Sequence, residues 1–369
     1  MLVKLALSFI SMALPFVEEY RTHGIVIIPQ VISQDLVKDS VEDIWNNIEE
    51  LPWQPEYRAR WQSLHSNMKN DYWRDVTKAE IEEVGEIYPS MGGFGALQFY
   101  QTAGQWNIRQ QPKIVDIFSK LLGCEKVMVG LDRISFKYPG QGLTEFVHYD
   151  SNPFLWPEEE YESIQGIVAL SDTSFFAAPG THTMAFQKEF ITKYPKTNRK
   201  DQYFIEKAHD PMELRDKVIE YKLNKGDLVI WSNRLLHEAR INKRNNVRYA
   251  HFITYLPYGR PPPTVVKAYQ AQKVDYVKDR LESYRTGKTP LCYPSGTKIE
   301  LFSKQVFMYF PNKLNEFCAR FLDEASEERT YQSGKKQGQK VRVPINYSPK
   351  DLGNYSPPPL TDLGKQLLG

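Results

Sequence analysis

The sequence predicts a mostly β fold with flanking helices, in which a double-stranded β-helix (jelly-roll, cupin-like) forms the core. Short apolar runs separated by Gly and Pro turns dominate the middle of the chain, which is typical of a sandwich or barrel. Two helical patterns precede these runs, and we expect the helices to cover one sheet from outside. The predicted strands are Val127–Tyr138, Phe146–Asp150, Ile164–Leu170, Leu228–Trp231 and Val247–Tyr255.

Both predicted helices have recognisable ends. The first starts at Ser33, a suitable N-cap, and carries an apolar stripe that reaches Leu51. The second begins at Pro112, because proline is favoured in a first turn, and stops at Gly123.

The run Pro261-Pro262-Pro263 marks a predicted domain boundary. Residues 14–260 are expected to form the β-rich domain with its N-terminal helices. Residues 261–369 are expected to form a C-terminal helical extension and a polar tail, which either wraps the core or stays flexible. Within this extension we predict helices at Val265–Tyr284 and Lys313–Leu322.

Composition is typical of an ordinary globular enzyme. Of the 369 residues, 41% are hydrophobic and 25% are charged, so the chain can bury a sizeable core. The net charge of +2 gives no indication of a nucleic acid or an anionic membrane as partner. The three cysteines are far apart and lack metal-ligand spacing, which favours a reducing compartment. We find no transmembrane span and no indication of oligomeric state.

The first residues leave two alternatives for localisation. Leu2–Phe16 is largely apolar, and a secretory signal could end near residue 13, although such a signal would be unusually short. Alternatively this stretch packs on the core, and Pro15 opens a short helix that runs to about Arg21. We predict a cytoplasmic protein, with secretion as the alternative.

A candidate metal site comes from His148, Asp150 and the distant His237. Successive side chains of a strand face opposite sides, so His148 and Asp150 point the same way. A histidine from another strand would complete two imidazoles and one carboxylate on one face of a metal. This arrangement is diagnostic of non-haem Fe(II) oxygenases. With seven histidines in the chain, the His-x-Asp motif alone is weak.

The surroundings of His237 strengthen this hypothesis. Lys225–Trp231 is typical of a Gly-Asp turn that leads into an apolar strand just before His237. Arg248 follows eleven positions after His237, on a second strand, where it shares a face with Ala250 and Phe252. A buried arginine there could pair through its planar fork with the far carboxylate of a dicarboxylic cosubstrate.

With these features, residues 15–260 resemble the phytanoyl-CoA dioxygenase family of Fe(II)/2-oxoglutarate-dependent oxygenases. The resemblance rests on Val17–Pro29, Trp106–Gln110, Asp132-Arg133, Ser135–Lys137, His148–Asp150, Gln165–Thr173, Pro179–His182 and Gly226–Arg248. Two departures concern cosubstrate contacts. Ser174–Ala178 is short and apolar where many members are Gly-rich, and Ala239 stands where a small hydroxyl residue is common.

The resemblance implies that His148, Asp150 and His237 bind Fe(II). It also implies oxidative decarboxylation of 2-oxoglutarate by O2 to succinate and CO2, with hydroxylation of a substrate C–H bond and ascorbate as a candidate reductant. The cosubstrate would be bound by Arg248, and further candidates for binding it or the substrate are Arg133, Ser135 and Gln165.

Three questions stay open. A non-catalytic β-barrel that keeps the metal for binding, or a zinc hydrolase, would use the same ligands. His251 lies on the opposite strand face to Arg248 and is not expected to be a ligand, and His182 is expected to fix its own turn. The substrate is a small or amphipathic molecule whose identity the sequence does not give, although Phe175–Ala178 and Trp156 indicate an apolar pocket wall.

Overall fold

The computed structural model describes residues 14–49, 96–97, 99–137, 139–140, 146–156, 163–196, 203–204, 212–261, 263–287, 290–292, 326–330, 340–344 and 356–368. The apolar residues 1–13 and the predicted helix at 313–322 lie outside these ranges. Within them, each helix is too short or too polar to traverse a lipid bilayer.

Helices and strands alternate irregularly along the described chain. The helices are α1 (Pro15–His23), α2 (Gln34–Glu49), α3 (Ala103–Arg109), α4 (Pro112–Leu122), α5 (Met184–Lys193), α6 (Met212–Arg215), α7 (Pro263–Gln272), α8 (Tyr276–Thr286) and α9 (Asp362–Leu368). The strands are β1 (Ile25–Ile28), β2 (Ala96–Leu97), β3 (Val127–Val129), β4 (Ile134–Lys137), β5 (Phe146–Tyr149), β6 (Ile164–Ala169), β7 (Thr173–Ala177), β8 (Tyr203–Phe204), β9 (Ile219–Leu223), β10 (Leu228–Ser232), β11 (His237–Ala239), β12 (Arg248–Pro257), β13 (Ser326–Thr330) and β14 (Lys340–Pro344).

Most strands belong to two antiparallel sheets. In the described chain the larger sheet has seven strands in the order β1-β10-β6-β12-β4-β2, with β3 pairing further along β12. The smaller sheet has five strands in the order β8-β5-β11-β7-β9. The two sheets are separate and do not close into one barrel, and β13 and β14 form a hairpin of their own.

Apolar side chains from both sheets meet in one buried cluster. The larger sheet contributes Ile167, Val229 and Trp231, and the smaller sheet contributes Phe175 and Leu223. Each such side chain stabilises the fold by about 1.5–3 kcal/mol when fully buried. This shared core holds the sheets face to face, so inward side chains of either sheet can meet. The described chain is therefore rich in β-sheet and carries flanking helices, as the sequence predicted, although its helices contain more residues than its strands.

The opposite face of the larger sheet is covered by α2 and α4, as the sequence predicted. Trp45 of α2 is fully buried and donates a hydrogen bond from its indole nitrogen to the Tyr249 hydroxyl at 3.0 Å. Phe136 packs edge-on against both rings. Because an indole N–H costs free energy when buried without an acceptor, this bond fixes where α2 lies on the sheet.

The helix ends also follow the sequence signals. The Ser33 hydroxyl accepts the backbone N–H of Leu36 at 3.2 Å, as an N-cap does. The helix that begins at Pro112 ends at Gly123, whose φ of 63° lies in the left-handed region that glycine adopts at low cost.

Two predicted elements are each divided in the structure. The single helix predicted over Val265–Tyr284 is wrong, because α7 and α8 are separated where Lys273 adopts a φ of 54°. Asp275 then caps α8 by accepting the N–H of Lys278. The predicted strand Val127–Tyr138 is likewise two strands, since the Asp132 carboxylate accepts the N–H of Arg133 in the turn between β3 and β4.

The C-terminal helix α9 is part of the main core. Leu367 and Leu368 are 1% and 3% exposed and pack in the same cluster as α2 and α4. The guanidinium of Arg280 in α8, itself 2% exposed, donates to the carbonyls of both leucines at 3.0 Å. These are helix-terminal carbonyls without helical partners, so Arg280 supplies hydrogen bonds that α9 cannot make itself.

Arg280→Ala should lower the free energy of unfolding by about 2–3 kcal/mol, because two buried carbonyls lose a charged donor. Urea unfolding followed by circular dichroism measures this change. Arg285→Ala removes an exposed arginine from the same helix and should change stability by less than about 0.5 kcal/mol. Equal stability of the two variants would contradict the role assigned to Arg280.

Candidate metal centre

Two adjacent strands of the smaller sheet position the candidate ligands. In the antiparallel pairing of β5 with β11, His148 and His237 are direct cross-strand partners. Asp150 follows the end of β5, where the chain bends. Directly opposed side chains of an antiparallel pair have Cβ atoms about 4.5–5.5 Å apart, so both imidazoles reach the same point inside the fold.

The three predicted ligands converge. The Nε2 atom of His148 lies 3.5 Å from Asp150 Oδ1, and Nε2 of His237 lies 3.6 Å from Oδ2. All three candidate donor atoms lie within 4.8 Å of one another, and among the described residues they form the one group of His, Cys, Asp and Glu side chains with this property. Two imidazole nitrogens and a carboxylate oxygen are the donor set that Fe(II) accepts.

The protonation states of Asp150 and His237 suit a cation. Burial raises the pKa of the Asp150 carboxyl, but His237, His148 and the Gln165 amide outweigh burial and hold the pKa well below its usual range. Burial, together with the neighbouring His148, lowers the pKa of His237 to about 4. At neutral pH the site therefore offers a carboxylate and a neutral His237 imidazole, the forms in which these groups bind metal.

Outer contacts orient these ligands. The Gln165 amide donates to Asp150 Oδ2 at 2.7 Å. His237 Nδ1 lies 3.0 Å from the carbonyl of Leu235, so a proton on Nδ1 completes a hydrogen bond and leaves Nε2 facing Asp150. Such contacts select the tautomer and hold the donor atoms in place before an ion arrives.

Aromatic rings from both sheets surround the site. Phe175 stacks on His237 with ring centroids 5.8 Å apart, and Trp231 lies 5.7 Å from the same ring. The indole N–H of Trp231 is buried and has no acceptor among the described residues. A buried donor without an acceptor is costly, so a ligand that accepts from it would be stabilised.

Arg248 lies between the sheets. Its guanidinium donates to the Thr173 hydroxyl of β7 at 2.7 Å and to the Ser135 hydroxyl of β4 at 3.1 Å. Burial lowers its pKa to about 10, so the group stays charged at neutral pH. A fixed guanidinium flanked by hydroxyls is suited to a carboxylate.

The other three residues predicted to bind the cosubstrate or the substrate differ in what they contact. Gln165 contacts Asp150 and Ser135 contacts Arg248, but the guanidinium of Arg133 lies over the Phe252 ring at 5.5 Å. This cation–π contact joins Arg133 to a side chain of β12.

Among the described residues, His251 and His182 do not belong to the candidate ligand group. His251 is 2% exposed in the described chain, and its pKa is lowered to about 3 by burial and by Arg109. The ring of His182 contacts the carbonyl of Arg21 at 3.1 Å. This hydrogen bond joins the turn to α1, which agrees with the predicted role of His182 in fixing the turn.

Sequence reasoning did not identify Thr173 as a partner of Arg248. Thr173, Phe175 and Ala177 alternate along β7 on its inner face, and this period of two was the signal that could have identified Thr173 as a partner of Arg248. Trp156, predicted as pocket wall, packs with Tyr149 and other residues of a second hydrophobic cluster. Phe175 does face the site.

Two imidazoles and a carboxylate on a two-sheet β fold place the protein in the class of candidate non-haem iron oxygenases. The sequence model of the phytanoyl-CoA dioxygenase family matches residues 20–250, more than half of the chain, and the protein belongs to this family. Membership and the candidate triad together support an oxygenase that uses iron and 2-oxoglutarate.

Individual relatives are distant. A Dictyostelium discoideum protein named "Putative phytanoyl-CoA dioxygenase" is 23% identical over 283 residues, which span 65% of this chain and 74% of that protein. "Ava biosynthesis cluster protein O" of Aspergillus versicolor is 23% identical over 188 residues, spanning 44% and 58%. A solved structure of the hypothetical protein JW0805 from Escherichia coli has a TM-score of 0.50 at 13% identity and covers 79% of this chain and 81% of its own. That similarity shows a shared fold.

Gln165→Leu should weaken metal binding by about tenfold to a hundredfold, because Asp150 loses the donor that orients it. Titration of the apoprotein with Mn(II), followed by calorimetry, measures this. Gln187→Leu is the matched control, since that buried glutamine donates to the carbonyl of Pro153. It should affect stability and leave metal affinity unchanged. Wild-type affinity in Gln165→Leu would exclude an orienting role.

Proposed function

We propose that this protein is an Fe(II)- and 2-oxoglutarate-dependent dioxygenase that hydroxylates an aliphatic C–H bond of a small or amphipathic substrate, with succinate and CO2 as coproducts. The domain responsible is proposed to span residues 14–260, with the two facing sheets as its double-stranded β-helix core and residues 261–369 as an extension. O2 is the proposed oxidant and ascorbate the proposed reductant.

One observation carries this proposal: the candidate triad and Arg248 both face the space between the sheets. A structural or hydrolytic metal site needs His148, Asp150 and His237 but has no use for a fixed guanidinium nearby. Arg248 is held by Thr173 and Ser135 and has no acidic partner in the described chain. A dicarboxylic cosubstrate would supply that partner.

The protein's own groups have separable tasks. When bound, the ferrous ion supplies redox chemistry with O2 and the 2-oxo acid. His148, Asp150 and His237 would hold the ion through two imidazole nitrogens and one carboxylate. Phe175 and Trp231 exclude water from this side. Arg248 orients the cosubstrate through its distal carboxylate, so that the 2-oxo acid end lies towards the triad.

The proposed substrate class follows from the aromatic side chains beside the candidate ligands. Phe175 and Trp231 give the site an apolar wall, which suits an aliphatic group better than a charged one. The acceptor C–H bond itself is not identified. A mass spectrometric screen for a gain of one oxygen atom, run alongside succinate formation, would find it.

Asp150→Ala should abolish 2-oxoglutarate decarboxylation while the far-ultraviolet circular dichroism stays unchanged, because the donor set loses its only anion. Adding Fe(II) and 2-oxoglutarate without oxygen should produce the weak visible charge-transfer band in the wild type and not in the variant. Asp216→Ala, at an exposed acid, should keep the band. A folded wild-type protein without the band would argue strongly against this function, and zinc-supported hydrolysis would then be tested.

Arg248→Ala should raise the KM for 2-oxoglutarate by about tenfold to a hundredfold, because a charge-assisted bond worth about 1.5–3 kcal/mol is lost. The rate at saturating cosubstrate should fall much less. Steady-state kinetics of succinate formation measures both. Arg244→Ala removes an exposed arginine from the loop before β12 and serves as control. An unchanged KM would mean that the carboxylate is bound elsewhere.

A further inference from the structure

A second cation lies beside Arg248. Lys137 in β4 is the direct cross-strand partner of Arg248 in β12, and it is only 3% exposed. It lies two residues after Ser135, whose hydroxyl contacts Arg248. Alternate residues of a strand share a face, so Lys137 points into the same space between the sheets as Ser135.

No carboxylate offsets this pair of cations within the described chain. Among the described residues, the Nζ atom of Lys137 donates to the carbonyl of Arg240 alone, at 3.5 Å, the long limit of a hydrogen bond. The guanidinium of Arg240 is directed to the Glu238 carboxylate, which it neutralises. Burying cations without partners costs several kcal/mol each, so a chain that retains two such groups side by side is expected to gain an anion there.

We infer that Lys137 is a second cationic group that binds the distal carboxylate of the dicarboxylic cosubstrate together with Arg248. This inference rests on the proposed function and extends it, because one guanidinium would suffice for an anchor. Two cations facing one carboxylate select more strongly against 2-oxo acids whose far end is neutral. Arg248 provides a planar fork, and Lys137 adds a point charge from the neighbouring strand.

Affinity for the cosubstrate is expected to depend on pH. Burial, and next the charge of Arg248, lowers the pKa of Lys137 to about 7. Among the described residues, the polar groups around this region include the Arg240–Glu238 pair, the Asn242 amide and the neutral hydroxyls of Ser135 and Thr173. A carboxylate bound next to Lys137 favours its charged form and raises its pKa, so binding above pH 7 takes up a proton. Affinity should therefore be highest below about pH 7 and fall by up to about tenfold per unit above it.

A purely structural role for Lys137 makes the opposite prediction for stability. If the ammonium served only to hold β4 against the segment after β11, replacing it with an apolar side chain would destabilise the protein. If it is an uncompensated cation awaiting a ligand, Lys137→Met should leave the ligand-free protein equally or more stable. Thermal unfolding of the ligand-free variant separates these roles without any turnover.

The binding experiment uses the full chain loaded with Mn(II) under nitrogen and titrated with 2-oxoglutarate in a calorimeter, from about pH 7 to about pH 9. Lys137→Met should bind about tenfold more weakly at pH 7 and lose most of the dependence on pH. Lys137→Arg keeps the charge and should retain binding without the dependence, because arginine does not titrate in this range. Lys243→Met removes an exposed lysine from the β11–β12 loop and should match the wild type.

The results separate a failure of the proposed function from a failure of the role assigned to Lys137. A wild-type protein that does not bind 2-oxoglutarate overturns the proposed function and the inference with it. A wild type that binds, with Lys137→Met binding as tightly and with the same pH dependence, overturns the inference alone. Weaker binding in Lys137→Met together with a lower unfolding temperature of the ligand-free protein also overturns it, since the lysine is then structural.

Discussion

The hydrogen-bonded pairing of β5 with β11 holds His148 opposite His237, and the chemistry proposed for this protein depends on that register. A slip of one residue would turn either imidazole to the other face of the sheet. The register is held from outside the strands as well. The Thr181 hydroxyl, which is almost fully buried, accepts the N–H of Leu236, and Ala178 donates to the Leu236 carbonyl. The turn after β7 thus fixes β11 just before its histidine.

In the described chain, the space between the two sheets contains an anionic group and a pair of cationic groups at separate positions. The Asp150 carboxylate lies among neutral or metal-binding groups, and the cations Arg248 and Lys137 lie without acidic partners in the described chain. Aromatic rings of Phe175 and Trp231 lie nearest the His237 side. A ligand with a metal-binding end and a separate anionic end matches this distribution. The proposed cosubstrate has both of these ends.

Local signals predicted local structure well. The N-cap at Ser33, and the proline and glycine at the two ends of α4, act over only a few residues. They can therefore be recognised from the sequence alone. Failures came where distant parts of the chain intervene. The segment Val127–Tyr138 is apolar enough for one strand, yet its two halves pair with opposite ends of β12. The C-terminal tail was expected either to wrap the core or to stay flexible, and Leu367 and Leu368 pack in the main core.

The sequence by itself predicted the three candidate metal ligands. His148 and Asp150 share a strand face by simple alternation, and the motif around His237 identified the third candidate ligand. Only the tertiary structure decided what surrounds them: that Gln165 donates to Asp150, that Thr173 accepts from Arg248, and that a buried lysine lies beside Arg248. Spacing along a strand is a property of one segment, whereas these contacts join segments far apart in the chain. Their partners are fixed by sheet order and register, which arise only when the whole core packs.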